Sequence, residues 1–255
     1  MKLLNYTYYA NKSKPTLVIL HGLLGSCDNW NTMAKKLSDY FNIYCFDLRN
    51  HGNSFHSASM SYKDMAYDVN YSMDYLSIKP DFIIGHSMGG KTAIRLLQEY
   101  SGFSKVIIVD IAPVKYARHH EDVINALKYV SFDSVATRSE LDLELKTYVD
   151  LLPTRQLLMK NISRDNKGLF KWKCNHKAII NYYDEVMDIS HLNKIIQIPA
   201  LFIKGGQSEY IQMESFSEIK TLFLDVKLST IESAGHWVQV QAPERFLQEC
   251  LGFLN

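Results

Sequence analysis

The chain has 255 residues, 47% of them hydrophobic and 22% charged, as in an ordinary globular domain. Lys and Arg total 28 against 27 Asp and Glu, so no net field draws in nucleic acid or an anionic membrane surface. No apolar run reaches the ~18 residues of a membrane-spanning helix, and the first seven residues turn polar too soon for a secretory signal.

Residues 3–10 are expected to form an antiparallel edge hairpin. Short apolar runs then predict strands at 16–20, 42–46, 81–84, 105–109, 199–203 and 226–231, several of them almost continuously apolar, as strands covered on both faces are. Helical patterns lie between and after them, at 33–41, 62–76, 89–100, 214–224 and 243–254. This alternation predicts an α/β fold with a mostly parallel sheet and helices on both sides. The rhythm breaks over 113–197, where no strand is expected. Val123, Leu127 and Val130, then Leu141, Leu145, Val149 and Leu152, then 178–187 show helical spacing instead. The chain therefore divides into a core at 1–112, a helical cap at 113–197 and a second core part at 198–255. An insertion after a strand's carboxyl end sits where such sheets bind ligands.

The sharpest motif is Gly85-His86-Ser87-Met88-Gly89, directly after one predicted strand and opening a helix. A serine in that strand-to-helix turn is lifted to the top of the sheet, and small neighbours let the backbones pass. Ser87 is the candidate nucleophile. A serine hydroxyl needs a base, and His236, the last of the nine histidines, lies in the loop Ser233-Ala234-Gly235-His236-Trp237 between the last strand and the last helix. That position suits the chain order nucleophile, acid, base. His21-Gly22-Leu23-Leu24-Gly25 follows the 16–20 strand, and the backbone N–H groups of Leu23 and Met88 are the candidate oxyanion donors. His21 is expected to orient the loop. Asp47 to Ser54 reads as a scaffolding turn in which Asp47 and Arg49 bond locally. Lys115, Arg118, His119 and His120, and Lys167, Lys171 and Lys173, suit either a solvated basic face or the phosphates of a coenzyme A group. Cys27, Cys45, Cys174 and Cys250 are widely spaced with no Cys-x-x-Cys pair, which fits unpaired thiols in a cytoplasmic protein.

Together, His21-Gly22-Leu23-Leu24-Gly25-Ser26, Asp28-Asn29-Trp30, Asp47-Leu48-Arg49-Asn50-His51-Gly52-Asn53-Ser54, the run from Gly85 to Lys91, Asp110-Ile111-Ala112-Pro113-Val114 and Gly235-His236-Trp237-Val238 resemble the α/β-hydrolase superfamily. More narrowly they resemble bacterial esterases and acyl-CoA thioesterases of the YbfF type, related to mitochondrial abhydrolase-11 proteins. The resemblance implies hydrolysis of a carboxylic ester or acyl-CoA thioester, with a small acyl substrate as partner, no cofactor and no metal. The usual superfamily acid falls in a G-x-x-D turn, and here that turn reads Gly205-Gly206-Gln207-Ser208, so the acid comes from elsewhere. The resemblance points to Asp110, in its Asp-Ile-Ala-Pro run; Glu209, one residue past the usual place, is the alternative. Ser208 is a candidate support for the acid–histidine pair. Carbon–carbon bond hydrolysis, haloperoxidase-like chemistry and a non-catalytic ligand-binding role are the rival readings.

Overall fold

The computed structural model describes residues 2–133, 135–192 and 194–255; Met1, the start of the N-terminal segment read above, lies outside them. Strand β1 is Tyr6–Tyr9, followed by β2 at Thr16–Leu20, helix α1 at Asn31–Leu37, β3 at Asn42–Phe46 and α2 at Tyr62–Tyr75. Then come β4 at Phe82–His86, α3 at Met88–Glu99 and β5 at Lys105–Val109. The inserted segment holds α4 at Glu121–Tyr129, α5 at Arg138–Lys146, α6 at Leu152–Lys160, β6 at Ile162–Arg164, β7 at Phe170–Trp172, α7 at His176–Asn181 and α8 at Tyr183–Met187. The chain ends with β8 at Ala200–Gly205, α9 at Met213–Leu222, β9 at Val226–Ile231, α10 at Val238–Gln241 and α11 at Pro243–Leu254.

Among the described residues, seven strands form one sheet in the order β1-β3-β2-β4-β5-β8-β9, parallel except for β1. The expected mostly parallel α/β architecture is therefore present. Residues alternate sides along each strand, so Val18, Ile83 and Ile108 pack against α2 and α3, while Ile19, Ile84 and Ile107 face α1 and α11. Both faces are covered, which is why the inner strands read as continuous apolar runs.

Three expectations need correction. Residues 3–10 supply an antiparallel edge strand but no hairpin with the next strand: β1 pairs with β3. Both edges of β2 are taken by β3 and β4, so the free edge lies beyond β3. The inserted segment also contains strands, the antiparallel pair β6–β7. Its turn is closed by the Asp165 carboxylate, which accepts the N–H groups of Lys167 and Leu169, and by Gly168 at φ +80°. Three-residue strands leave too short a pattern to read. The apolar series from Leu141 to Leu152 likewise splits into α5 and α6, with Leu152 exposed and Pro153 in the first turn of α6.

The inserted segment is clasped to the sheet by a buried lysine. Lys91, on α3, donates its Nζ to the carbonyls of Met187 at 2.9 Å and Val186 at 3.3 Å, at the end of α8. The ammonium lies 4.7 Å from the centre of the Tyr116 ring. Burial pulls the lysine pKa from 10.5 down to about 7, partly offset by Asp188. Between those two values the unfolded chain holds a proton that the folded protein lacks, so stability rises with pH across that window. Lys91→Met removes the dependence. The two carbonyls keep other donors, Tyr62 Oη to Val186 at 2.6 Å and Tyr116 N–H to Met187 at 3.0 Å, so the fold survives the change. Urea unfolding from pH 7 to 9 should show wild-type stability climbing relative to the variant by up to about 1.4 kcal/mol per pH unit. Parallel curves would refute the clasp's titration.

Candidate active site

Ser87 lies between β4 and α3 with φ 52° and ψ −120°, a backbone state rare outside glycine. The turn closes tightly: a Cβ on Gly85 would lie 2.4 Å from the Gly89 carbonyl oxygen. Met88 begins α3, so its N–H is among those with no acceptor inside the helix. The loop carrying Leu23 passes directly over the serine, since a Cβ on Gly22 would sit 3.2 Å from Ser87 Cβ. His21 props that loop. Its Nε2 accepts the Leu48 N–H at 2.9 Å, so Nδ1 carries the proton and donates to the Gly22 carbonyl at 2.8 Å. Burial lowers its pKa and keeps it neutral.

Asp110 follows β5 at φ 49° and is wholly buried. Its Oδ2 accepts from His236 Nδ1 at 2.8 Å and from the Ser208 hydroxyl, and its Oδ1 accepts the Gly205 N–H at 2.9 Å. The Ser208 hydroxyl in turn receives the Tyr210 N–H at 3.3 Å. With the proton on Nδ1, the imidazole keeps a free lone pair on Nε2. Asp110, Ser208 and His236 thus come together at the carboxyl edge of the sheet, while Glu209 is exposed and Asp110 is the carboxylate that meets the histidine.

Two neighbours of His236 carried no signal in the sequence. His86 donates from Nε2 to the His236 carbonyl at 2.8 Å. Burial, then the adjacent His236, pull the His86 pKa down to about 3, so it remains a neutral prop. The Tyr210 ring stacks on His236, centres 4.1 Å apart and planes 25° from parallel. Its hydroxyl meets His119 Nε2 at 2.7 Å and His120 Nε2 at 3.0 Å. Of the histidine pair at 119 and 120, read above as part of a solvated basic face or of a phosphate site, His119 is exposed and His120 lines the cavity, and both meet the Tyr210 hydroxyl.

A cavity of about 230 Å³ is lined by Ser87, His236, Leu23 and Trp237, and by His120, Val123, Thr154 and Leu157 of the inserted segment. The other basic residues at the start of that segment are engaged with acids, Arg118 with Glu121 and Asp184, and Lys115 with Asp188 at 3.8 Å. The Asp47 to Ser54 turn is scaffold, with one pairing corrected. Asp47 accepts the N–H groups of Cys27 and Asn53, whereas Arg49 reaches past it to Asp68 on α2, at 2.5 and 2.9 Å. All four cysteines are buried and free of disulfides. No helix among the described residues is long and apolar enough to cross a membrane.

Residues 15–243 match the model of the alpha/beta hydrolase fold family. A structure of a marine microorganism esterase superposes with a TM-score of 0.95 at 39% identity, covering 99% of this chain and 100% of that one. The sn-1-specific diacylglycerol lipase ABHD11 of Mus musculus is 34% identical over 94% of this chain and 81% of its own length. Esterase YbfF of Escherichia coli is 31% identical over 94% of this chain and 92% of its own.

Proposed function

The chain belongs to the α/β-hydrolase fold family, and from that membership we propose that it is a serine hydrolase cleaving carboxylic esters through an acyl-enzyme on Ser87. The observation that carries this reading is His236, bonded to the buried Asp110 at 2.8 Å and lining the same cavity as Ser87 in its strained turn. His236 Nε2 takes the Ser87 proton as Oγ attacks the acyl carbonyl. The Leu23 and Met88 N–H groups receive the oxyanion as it forms, which is where fixed dipoles lower a barrier most. The imidazolium, held by Asp110 through Nδ1, then protonates the leaving alcohol. A water enters, gives its proton to His236 and attacks the acyl-enzyme, and the acid departs as Ser87 regains its proton.

Residues 113–197 serve as the cap that closes this cavity, supplying apolar side chains at Val123 and Leu157. Relatives named as esterases and a diacylglycerol lipase support ester hydrolysis. An acyl-CoA thioester is the finer alternative, which would need cations for its phosphates. The test sets p-nitrophenyl esters of graded chain length beside the matching acyl-CoA thioesters, with wild type and Ser87→Ala, together with labelling by a fluorophosphonate. Wild type should turn over esters and label covalently, and Ser87→Ala should do neither. A folded wild type that neither turns over nor labels would refute a serine hydrolase and leave a ligand-binding role.

A further inference from the structure

Charge is spread unevenly along the chain. Residues 160–177 carry six basic side chains, Lys160, Arg164, Lys167, Lys171, Lys173 and Lys177, against one acidic one, Asp165, in a protein whose total is +1. They belong to the end of α6, the β6–β7 hairpin and the start of α7. Asp165 is taken up by the turn, where its carboxylate accepts two backbone N–H groups. Arg164 folds back on the hairpin, its guanidinium 4.0 Å from the centre of the Phe170 ring, and donates to the Gly168 and Ala136 carbonyls. The five lysines form no ion pair with any carboxylate of the described residues. Lys160, Lys167, Lys171 and Lys177 are exposed, and Lys173 is half-buried.

The alternation of the hairpin sorts its apolar side chains from its basic ones. Its ladder runs past β6 and β7, since the Asp165 N–H donates to the Leu169 carbonyl and the Lys173 N–H to the Asn161 carbonyl. Phe170 and Trp172 turn inward, Phe170 into the core and Trp172 against the edge of Phe132, ring centres 5.5 Å apart. Leu169 and Lys171 take the opposite face, where Leu169 is 58% exposed beside the exposed lysine. Lys167 lies in the turn between the strands. The segment is rooted beside the serine cavity. Lys160 lines a groove of about 540 Å³ that shares Leu157 and Trp237 with that cavity, and Asn161 Nδ2 donates to the carbonyl of Leu24, in the loop over Ser87, at 2.6 Å.

We propose that this hairpin docks the protein on an anionic phospholipid surface, with Leu169 entering the interface and the lysines facing the headgroup phosphates. Lysines without carboxylate partners meet those phosphates without first breaking an ion pair. The exposed leucine sets the choice of partner, because a bilayer offers an apolar layer beneath its charge and a phosphate backbone alone does not. A total charge near zero supplies no general attraction, so binding depends on this segment. Docking makes no use of Ser87 and goes beyond the hydrolase reading, so the two are tested separately.

The test is flotation of the full chain with two kinds of vesicle, phosphatidylcholine alone and phosphatidylcholine mixed with phosphatidylglycerol. Wild type should float with the anionic vesicles and not with the neutral ones, and roughly 1 M NaCl should release it, since salt screens the lysines. The triple variant Lys167→Gln/Lys171→Gln/Lys173→Gln should bind about a hundredfold more weakly, each charge at such a surface contributing about fivefold. Leu169→Ser, which keeps every charge, should bind about tenfold more weakly. Both variants should keep the wild-type melting temperature, because the side chains they change lie outside the core. Wild type that floats with neither vesicle overturns the proposal, as does a triple variant that floats like wild type. Retention on heparin without flotation also overturns it, and assigns the lysines to another polyanion. Leu169→Ser binding as tightly as wild type overturns the docking geometry. Flotation as expected, with no ester turnover and no fluorophosphonate labelling of Ser87, supports the docking and overturns the hydrolase reading alone.

Discussion

Asp110→Asn should lower kcat by about 10⁴-fold while the protein keeps its fold and its melting curve. Asparagine fills the same buried volume and still offers an oxygen to the Gly205 N–H. What changes is the partner of His236. An amide nitrogen at the Oδ2 position donates toward Nδ1, drives the proton to Nε2 and removes the base that Ser87 needs. In serine triads elsewhere, this tautomer error costs about that factor. Glu209→Gln should leave kcat near wild type, because Glu209 is exposed and the histidine is bonded to Asp110. If the glutamate variant is the dead one, the acid has been assigned to the wrong strand end. Ser208→Ala should produce a smaller fall in kcat. Its hydroxyl is bonded to the Asp110 carboxylate that holds His236, so removing it loosens the group that orients the imidazole. A Ser208→Ala kcat equal to wild type would reduce Ser208 to loop packing.

Much of the candidate site is legible in the amino-acid sequence, residue by residue. Ser87 announced itself because a strained turn tolerates few residue types, so chemistry and sterics mark the same five positions. His236 followed from its place between the last strand and the last helix. Asp110 was harder. A carboxylate at the end of a strand looks like any other, and the vacated position at Ser208 said only that the acid lay elsewhere. His86 and Tyr210 stayed silent: a backbone carbonyl bond and a ring stack between residues more than 20 positions apart leave no local pattern. The parallel strands were readable from their two-sided burial. The β6–β7 pair was not, because three residues give no period, and β1 was misread because the choice of partner edge is a property of the whole sheet. Arg49 taught the same lesson, since a nearby Asp47 was the obvious mate and the true one sits on α2.

That last pairing carries the largest expected stability effect. Arg49 and Asp68 are both almost fully buried, and the guanidinium meets the carboxylate through two bonds, Nε to Oδ2 at 2.5 Å and a second to Oδ1 at 2.9 Å. Around them the 47–54 turn ties three regions together. Ser54 and Asp47 receive the N–H and side-chain amide of Asn5 beside β1, α2 supplies Asp68, and the Asn50 carbonyl accepts the N–H of Asn175 at the start of α7. Asp68→Ala strips the carboxylate and leaves a buried cation, for which Asp64 at 3.5 Å and the Ser59 hydroxyl at 2.7 Å are incomplete substitutes. Removing one member of a buried pair typically costs about 3–5 kcal/mol, and in a domain of this size that lowers the melting temperature by roughly 10 °C. The double variant Arg49→Met/Asp68→Leu should recover most of the loss, because apolar side chains of similar volume carry no desolvation cost. Calorimetry on the three variants decides it. A melting temperature for Asp68→Ala within a degree or two of wild type would mean that Asp64 and Ser59 already suffice. A double variant no better than the single would show that the pair is needed for the shape of the turn, and not only for cancelling its own charge.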